Sequence, residues 1–332
     1  MNKLNTIIKY NLKSRKVLIQ QDGLNVFFIK KKELEKNAQD KVYVDFLGLR
    51  KKLKQILPSA SDTCFQVIGD SNPFSEWGHR YAGTVLQNLM QKHQGPVLYG
   101  FTSNKNGGAN GVVGKWLENN PEYNNKVVAN IVYPESITAI QDWECTYSEA
   151  VKNYLVVFDD KKDCHFGDDI ALSDNLAKKL LCLEGGVISF CQIINTLIYH
   201  DDPEITVIHG LRDKENRSWF SAAELISKLK KSNSIEDSIK IKNAYLNDKK
   251  LYDPSGRSPS PETIKVKEDQ VNTAFQALIA SKNSLEKPKG ITINEYLEIK
   301  QTKAELFQLS DLNNGKDYIL STSFKSSLNK NY

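Results

Sequence analysis

The residues best suited to chemistry lie on three glycine-bearing turns. The first follows the apolar run Val97-Leu98-Tyr99-Gly100 and carries Gly107, Gly108, Gly111 and Gly114 where the chain passes into an amphipathic helix over 111–119. Glycines where a strand gives way to a helix let the backbone approach a phosphate closely, and the helix dipole with its free N–H groups favours the anion. The second is Glu184-Gly185-Gly186, after Leu180-Leu181-Cys182-Leu183 and before a helix that carries Ser189 and Gln192. The third is Gly69-Asp70-Ser71-Asn72, after Cys64 to Ile68 and before Pro73. In a parallel sheet all three fall at the carboxyl edge, where ligands bind. The spacing points to a nucleotide as the ligand.

Further residues add chemistry around these turns. Glu184 can grip a ribose hydroxyl or act as an acid–base group, or serve only the helix dipole. Asp159 and Asp160 follow the apolar run Tyr154–Phe158, a place where ribose-binding acids sit and where a pair of aspartates can equally serve only the turn. His209 and Arg212 follow Ile205–Ile208; the arginine can reach a phosphate. His165, Asp168 and Asp169 have no metal-site spacing, and no metal is expected. Trp77, Trp116 and Trp143 can stack a base or fill a core. Cys191 lies early in a helix, where a thiol's pKa can fall, but no histidine partner accompanies it.

These residues need elements to hold them. Short apolar runs at 64–69, 97–101, 126–133, 154–158, 180–183 and 205–209 alternate with helical patterns at 74–93, 111–119, 168–179, 187–200 and 221–231. Strands that are apolar throughout, separated by helices, imply a doubly wound, mainly parallel Rossmann-like sheet with helices on both faces. The expected division is a basic N-terminal α+β extension (1–60), the Rossmann-like domain (61–231), and a linker with a C-terminal helical extension (232–332). The first extension reads as a hairpin of 16–20 with 25–29 around Asp22-Gly23, then a basic helix near 47–57. The second reads as a Ser/Asn/Lys/Pro-rich linker or long loop over 232–262, then helices over 262–282 and 293–309.

The three turns resemble the LOG family, once described as lysine decarboxylases, and the wider SLOG superfamily of nucleotide-binding domains. Val67-Ile68-Gly69-Asp70-Ser71 is similar to the family's first strand end. Leu98-Tyr99-Gly100 with Gly108 to Gly114 is similar to its Tyr-Gly-Gly and Gly-x-x-Gly-x-x-Gly motif, and Leu183-Glu184-Gly185-Gly186 to its Pro-Gly-Gly turn. The resemblance covers roughly residues 62–230. It implies a cleft for a nucleoside monophosphate, with phosphate over Gly185–Ser189, base and ribose against Gly108–Gly114 and Ser71, cleavage of the N-glycosidic bond, and a homodimer. The chain departs from the family at the chemical half. Glu184 stands for the proline, Ile188 and Ser189 for the third glycine and the threonine, and Gln192 for the catalytic glutamate; Asp168 and Asp169 fall near the family's Arg-Lys pair. An amide cannot carry the charge that stabilises an oxocarbenium ion. Either another carboxylate, Glu184 or Asp160, takes that role in a hydrolase or transferase, or the domain binds nucleotide as a sensor without cleaving it.

Composition sets the outer bounds. The chain has 332 residues, 40% of them hydrophobic, and no apolar run approaches the ~20 residues of a membrane span. Its start lacks a secretory signal pattern. Five cysteines are scattered without a C-x-x-C pair, which fits a reducing cytoplasm and equally a protein delivered into another cell. Residues 1–60 hold 14 Lys/Arg against 5 Asp/Glu, whereas 61–230 hold 15 against 22. A basic arm on an acidic domain can contact nucleic acid, anionic lipid or an acidic protein partner, or form only a solvated face. No cofactor is called for.

Overall fold

The computed structural model of the protein describes residues 9–11, 16–18, 25–30, 64–93, 95–99, 107–132, 150–158, 177–212, 220–248, 259–285 and 290–308. Eight strands form one sheet: β3 (Asn25–Lys30), β4 (Cys64–Gly69), β5 (Val97–Tyr99), β6 (Val127–Val132), β7 (Asn153–Phe158), β8 (Ala177–Leu183), β9 (Glu204–His209) and β10 (Thr302–Leu306). Their order is β10-β9-β8-β4-β5-β6-β7-β3, and every pairing is parallel. From β4 the chain first winds one way through β5, β6 and β7. It then returns to place β8 on the other flank of β4 and continues outward through β9 to β10. The sheet is therefore doubly wound, with its switch point between β4 and β8.

The two windings cover opposite faces. Along β4, Phe65 and Val67 point into one core and Ile68 into the other; along β8, Leu181 and Leu183 oppose Leu180 and Cys182. The period-2 alternation of a strand puts apolar residues on both sides, so continuous apolar runs are what a two-sided sheet requires. The first core is closed by α1 (Glu76–Gln91) and α2 (Gly108–Asn119). Helix α1 buries Gly78, Ala82, Val85, Leu86 and Met90, a stripe at helical spacing. The second core is closed by α3 (Val187–Tyr199), α4 (Ala222–Leu229), α5 (Ile235–Leu246), α6 (Pro261–Asn283) and α7 (Ile293–Ile299). A fully buried leucine such as Leu197 or Leu229 contributes about 2 kcal/mol of transfer free energy. No helix of the described residues is long and apolar enough to cross a membrane.

The α/β expectation holds, and several finer readings are corrected. Of the expected hairpin, the described strands do not pair with each other: β2 (Lys16–Leu18) pairs antiparallel with β1 (Lys9–Asn11), while β3 lies beside β7. The 232–262 stretch is not all linker, since α5 forms there behind the cap Ser234. The helix expected over 293–309 stops at Ile299, and β10 joins the edge of the sheet beside β9. Ala177 to Lys179 are strand rather than the end of a helix. Helix α2 starts at Gly108, three residues before the expected Gly111. The expected helix near 47–57 lies outside the described residues. Both edge strands of the sheet come from residues beyond 61–231.

Candidate functional site

The carboxyl ends of β4 and β8 meet at the switch point. Gly69 pairs with Leu183 there, and the Asp70 N–H donates to the Leu183 carbonyl at 3.0 Å. A β-carbon on Gly69 would stand 2.1 Å from that same carbonyl oxygen, so only glycine allows the approach. The first turn of α2 closes on the other side. The Ala109 N–H donates to the Asp70 carbonyl at 3.0 Å, and a β-carbon on Gly108 would meet the same oxygen at 1.7 Å. Gly108, Gly111 and Gly114 all lie within α2 and are buried. In this arrangement the glycine run seats a helix against the Gly69–Asn72 turn.

Among the described residues, the acidic side chains of Asp70 and Glu184 and the Arg212 guanidinium occupy the crevice. Asp70 is 5% exposed and Arg212 1%. Arg212 Nε and Nη2 reach Asp70 Oδ2 at 2.7 and 2.6 Å, while Asp70 Oδ1 accepts from the Asn72 backbone and side chain at 3.1 and 3.2 Å. Glu184 is 3% exposed, and its Oε1 accepts from the Leu211 N–H at 2.7 Å. Its own N–H donates to the Ile208 carbonyl at 2.9 Å. Its carbonyl accepts from the Ala223 N–H at 3.0 Å, and that of Gly185 from Ala222 at 2.8 Å, which docks α4 on the turn. Glu184 holds φ at 63°, a left-handed conformation that costs a residue with a β-carbon on the order of 1 kcal/mol. These backbone and side-chain bonds keep it there.

Electrostatics follow from this packing. Burial pushes the Cys182 thiol well above its ordinary pKa, the carboxylates of Glu184 and Asp70 add to the shift, and Arg212 opposes it. A buried thiol of this kind is unreactive. Burial also lowers the His209 pKa, against the raising effect of Glu184 and Glu224. No group of three or more His, Cys, Asp and Glu residues suited to a metal ion occurs among the described residues.

The crevice unites many of the residues expected from sequence. Gly69, Ser71, Asn72 and Gly108 share one lip; Glu184, Gly185, Gly186 and Ser189 form the other. A β-carbon on Gly185 would stand 2.5 Å from the Ser189 side chain, whereas the same position on Gly186 meets none of the described residues within 4 Å. Gln192 lies buried one turn further along α3. Arg212 does not stand free for a phosphate, since Asp70 holds it. Trp116 is buried and its Nε1 donates to Gln87, and Trp77 is exposed with Arg80 stacked 4.9 Å above its ring. Cys191 lies beside the Gln270 carbonyl at 3.8 Å. Gly100, Trp143, Asp159, Asp160, His165, Asp168 and Asp169 lie outside the described residues.

Sequence reasoning missed the hub around Leu211. Its carbonyl accepts from both the Ser75 N–H and the Ser75 hydroxyl at 2.9 Å, and its N–H meets Glu184. Asp70 was legible only as a turn residue, because its partner is 142 positions away. Its place directly after a strand-ending glycine was the available signal. No protein-family model matches the chain, and no curated protein matches it.

Proposed function

We propose that this protein binds a nucleotide in the crevice between the carboxyl ends of β4 and β8. The observation that carries the reading is the pair of helices that open there. Among the described α-helices, α2 and α3 begin behind Gly107 and Gly186 with no side-chain cap, whereas the other five are capped by the side chains of Ser75, Ser221, Ser234, Ser260 and Thr292. A glycine cap leaves amide groups without a side-chain acceptor, and the helix dipole favours an anion beside them. Both helices rise from the switch point of the sheet, where open α/β folds take their ligands. Of the two, α3 suits a phosphate better, because a β-carbon on Gly186 meets none of the described residues within 4 Å while the start of α2 is packed on Asp70.

The reading extends to a hydrolase or transferase acting on a nucleotide or dinucleotide at the N-glycosidic bond. Glu184 is its charged residue. Gln192, where the LOG-like pattern has glutamate, cannot stabilise a cationic sugar. A second reading, a nucleotide sensor without turnover, is favoured by a separate observation: both oxygens of Asp70 and one of Glu184 are held by the fold itself.

A thermal-shift panel of nucleoside mono-, di- and triphosphates and dinucleotides, followed by mass spectrometry of the incubated ligand, tests both. Stabilisation with release of free base that Glu184→Ala abolishes supports the enzyme. Stabilisation with intact ligand supports the sensor. A panel in which no compound raises the melting temperature overturns nucleotide binding altogether. The proposal includes a homodimer, tested by light scattering of the purified chain, an acidic partner for the basic residues 1–60, tested by the salt dependence of binding to acidic peptides, and residence in a reducing cytoplasm.

A further inference from the structure

The Glu184 carboxylate retains acceptor capacity that the fold does not use. Oε1 is taken by the Leu211 N–H at 2.7 Å. Oε2 has no hydrogen-bond partner among the described residues, and it is not one of the polar atoms sealed from solvent without a partner. The residue as a whole is 3% exposed and sits in a left-handed turn held by the Ile208 carbonyl and the Ala223 N–H. A carboxylate this deep is unfavourable unless hydrogen bonds compensate it, so the open oxygen calls for a donor.

The chemistry of that donor is constrained on two sides. An ionised carboxylate only accepts hydrogen bonds and repels a phosphate. Two residues further on, Gly186 opens α3 with none of the described residues within 4 Å of its β-carbon position, and that helix end favours an anion. Neighbouring positions on one turn therefore ask for a neutral donor and for an anion. A nucleotide offers both within one molecule, in its ribose hydroxyls and its phosphate. Resting on the nucleotide reading above, we propose that Glu184 Oε2 accepts a hydrogen bond from a ribose hydroxyl, so that the crevice selects ribonucleotides over deoxyribonucleotides.

The test is calorimetric titration of the full chain with whichever ribonucleotide stabilises it most, and with the 2′-deoxy and 3′-deoxy forms of that nucleotide. The native protein is expected to bind the ribonucleotide roughly 10–100-fold more tightly than at least one deoxy form, the range for a hydrogen bond to a charged group. In Glu184→Gln the side-chain carbonyl still accepts from Leu211, and the preference is expected to shrink to about threefold or less. The comparison in the native protein needs no variant, so a poorly folding Glu184→Gln does not shield the proposal. Equal affinity for all three forms, or a preference that survives Glu184→Gln, overturns the role of Glu184 and leaves nucleotide binding standing. A native protein that binds no nucleotide overturns both.

Discussion

Arg212 and Asp70, 142 residues apart in sequence, form a buried ion pair across the base of the β4–β8 crevice. Both arginine nitrogens converge on one carboxylate oxygen, and Asn72 satisfies the other. Removing one partner of such a pair strands the other charge in a low-dielectric interior, which typically costs 3–5 kcal/mol. Arg212→Met and Asp70→Asn are each expected to lower stability by about that much in urea unfolding. The double variant should lose clearly less than the two losses added together, because it buries no unpaired charge. Additive losses would show that the pair does not act as a unit.

The glycines at the crevice are expected to divide sharply. A methyl on Gly108 would collide with the Asp70 carbonyl, and the residue holds φ at 49°. Gly108→Ala combines a steric clash with backbone strain and should cost on the order of 3 kcal/mol or more. Gly186→Ala meets none of the described residues within 4 Å and holds φ at −108°, so its melting temperature should stay near that of the native protein. Two equal losses would contradict the placement of α2 against the Gly69–Asn72 turn.

This contrast also shows what the chain reveals before folding. The strands β4 to β9 were legible because each is a short apolar run, the pattern of a sheet covered on both faces. The glycine turns were legible as strand ends for the same reason. What was not legible depends on distant partners. Thr302-Lys303-Ala304-Glu305-Leu306 carries helix-favouring lysine, alanine and glutamate, yet it adds to β9 as an edge strand; the Tyr81 hydroxyl reaches Glu305 and Phe307 N–H reaches the His209 carbonyl. Tertiary pairing overrides propensity there. The parallel partner of β3 is likewise written nowhere near residues 25–30. At the site, Glu184 was found by its spacing to Gly185 and Gly186, while Leu211 acts through its backbone and leaves no trace in residue type.

Ser75 joins two functions in one side chain. Its oxygen caps α1 by accepting from the Gly78 N–H at 2.9 Å, and its hydroxyl donates to the Leu211 carbonyl at 2.9 Å. Loss of a serine cap alone costs about 1 kcal/mol. Ser75→Ala is therefore expected to lose about 1–2 kcal/mol in denaturant unfolding, with the second hydrogen bond supplying the upper part of that range. Ser75→Asp keeps a capping oxygen but cannot donate to Leu211, so it should recover only part of the loss. Full recovery would mean that the bond to Leu211 contributes nothing.

Acid should weaken the fold before its carboxylates titrate. His79, His93 and His209 all have pKa values lowered below 6.5, in each case chiefly by burial. Lys115 lowers His79 further; the Pro96 carbonyl, 3.2 Å from His93 Nε2, partly offsets the burial of His93. A histidine of this kind takes up its proton more readily in the unfolded chain. Between the folded and unfolded values the unfolded state binds more protons, so stability rises with pH across that window. The contribution is complete above about pH 6.5, and it is lost as pH falls through that value toward the lower folded ones. Melting temperatures measured from pH 7.5 to 5.5, above the ordinary carboxylate range, should be flat at the upper end and fall at the lower. His93→Gln retains a side-chain amide that can reach the Pro96 carbonyl but cannot take up a proton, and it should flatten the acid limb. A native profile that stays level to pH 5.5 would mean that these imidazoles are as easily protonated in the folded protein as in the unfolded chain.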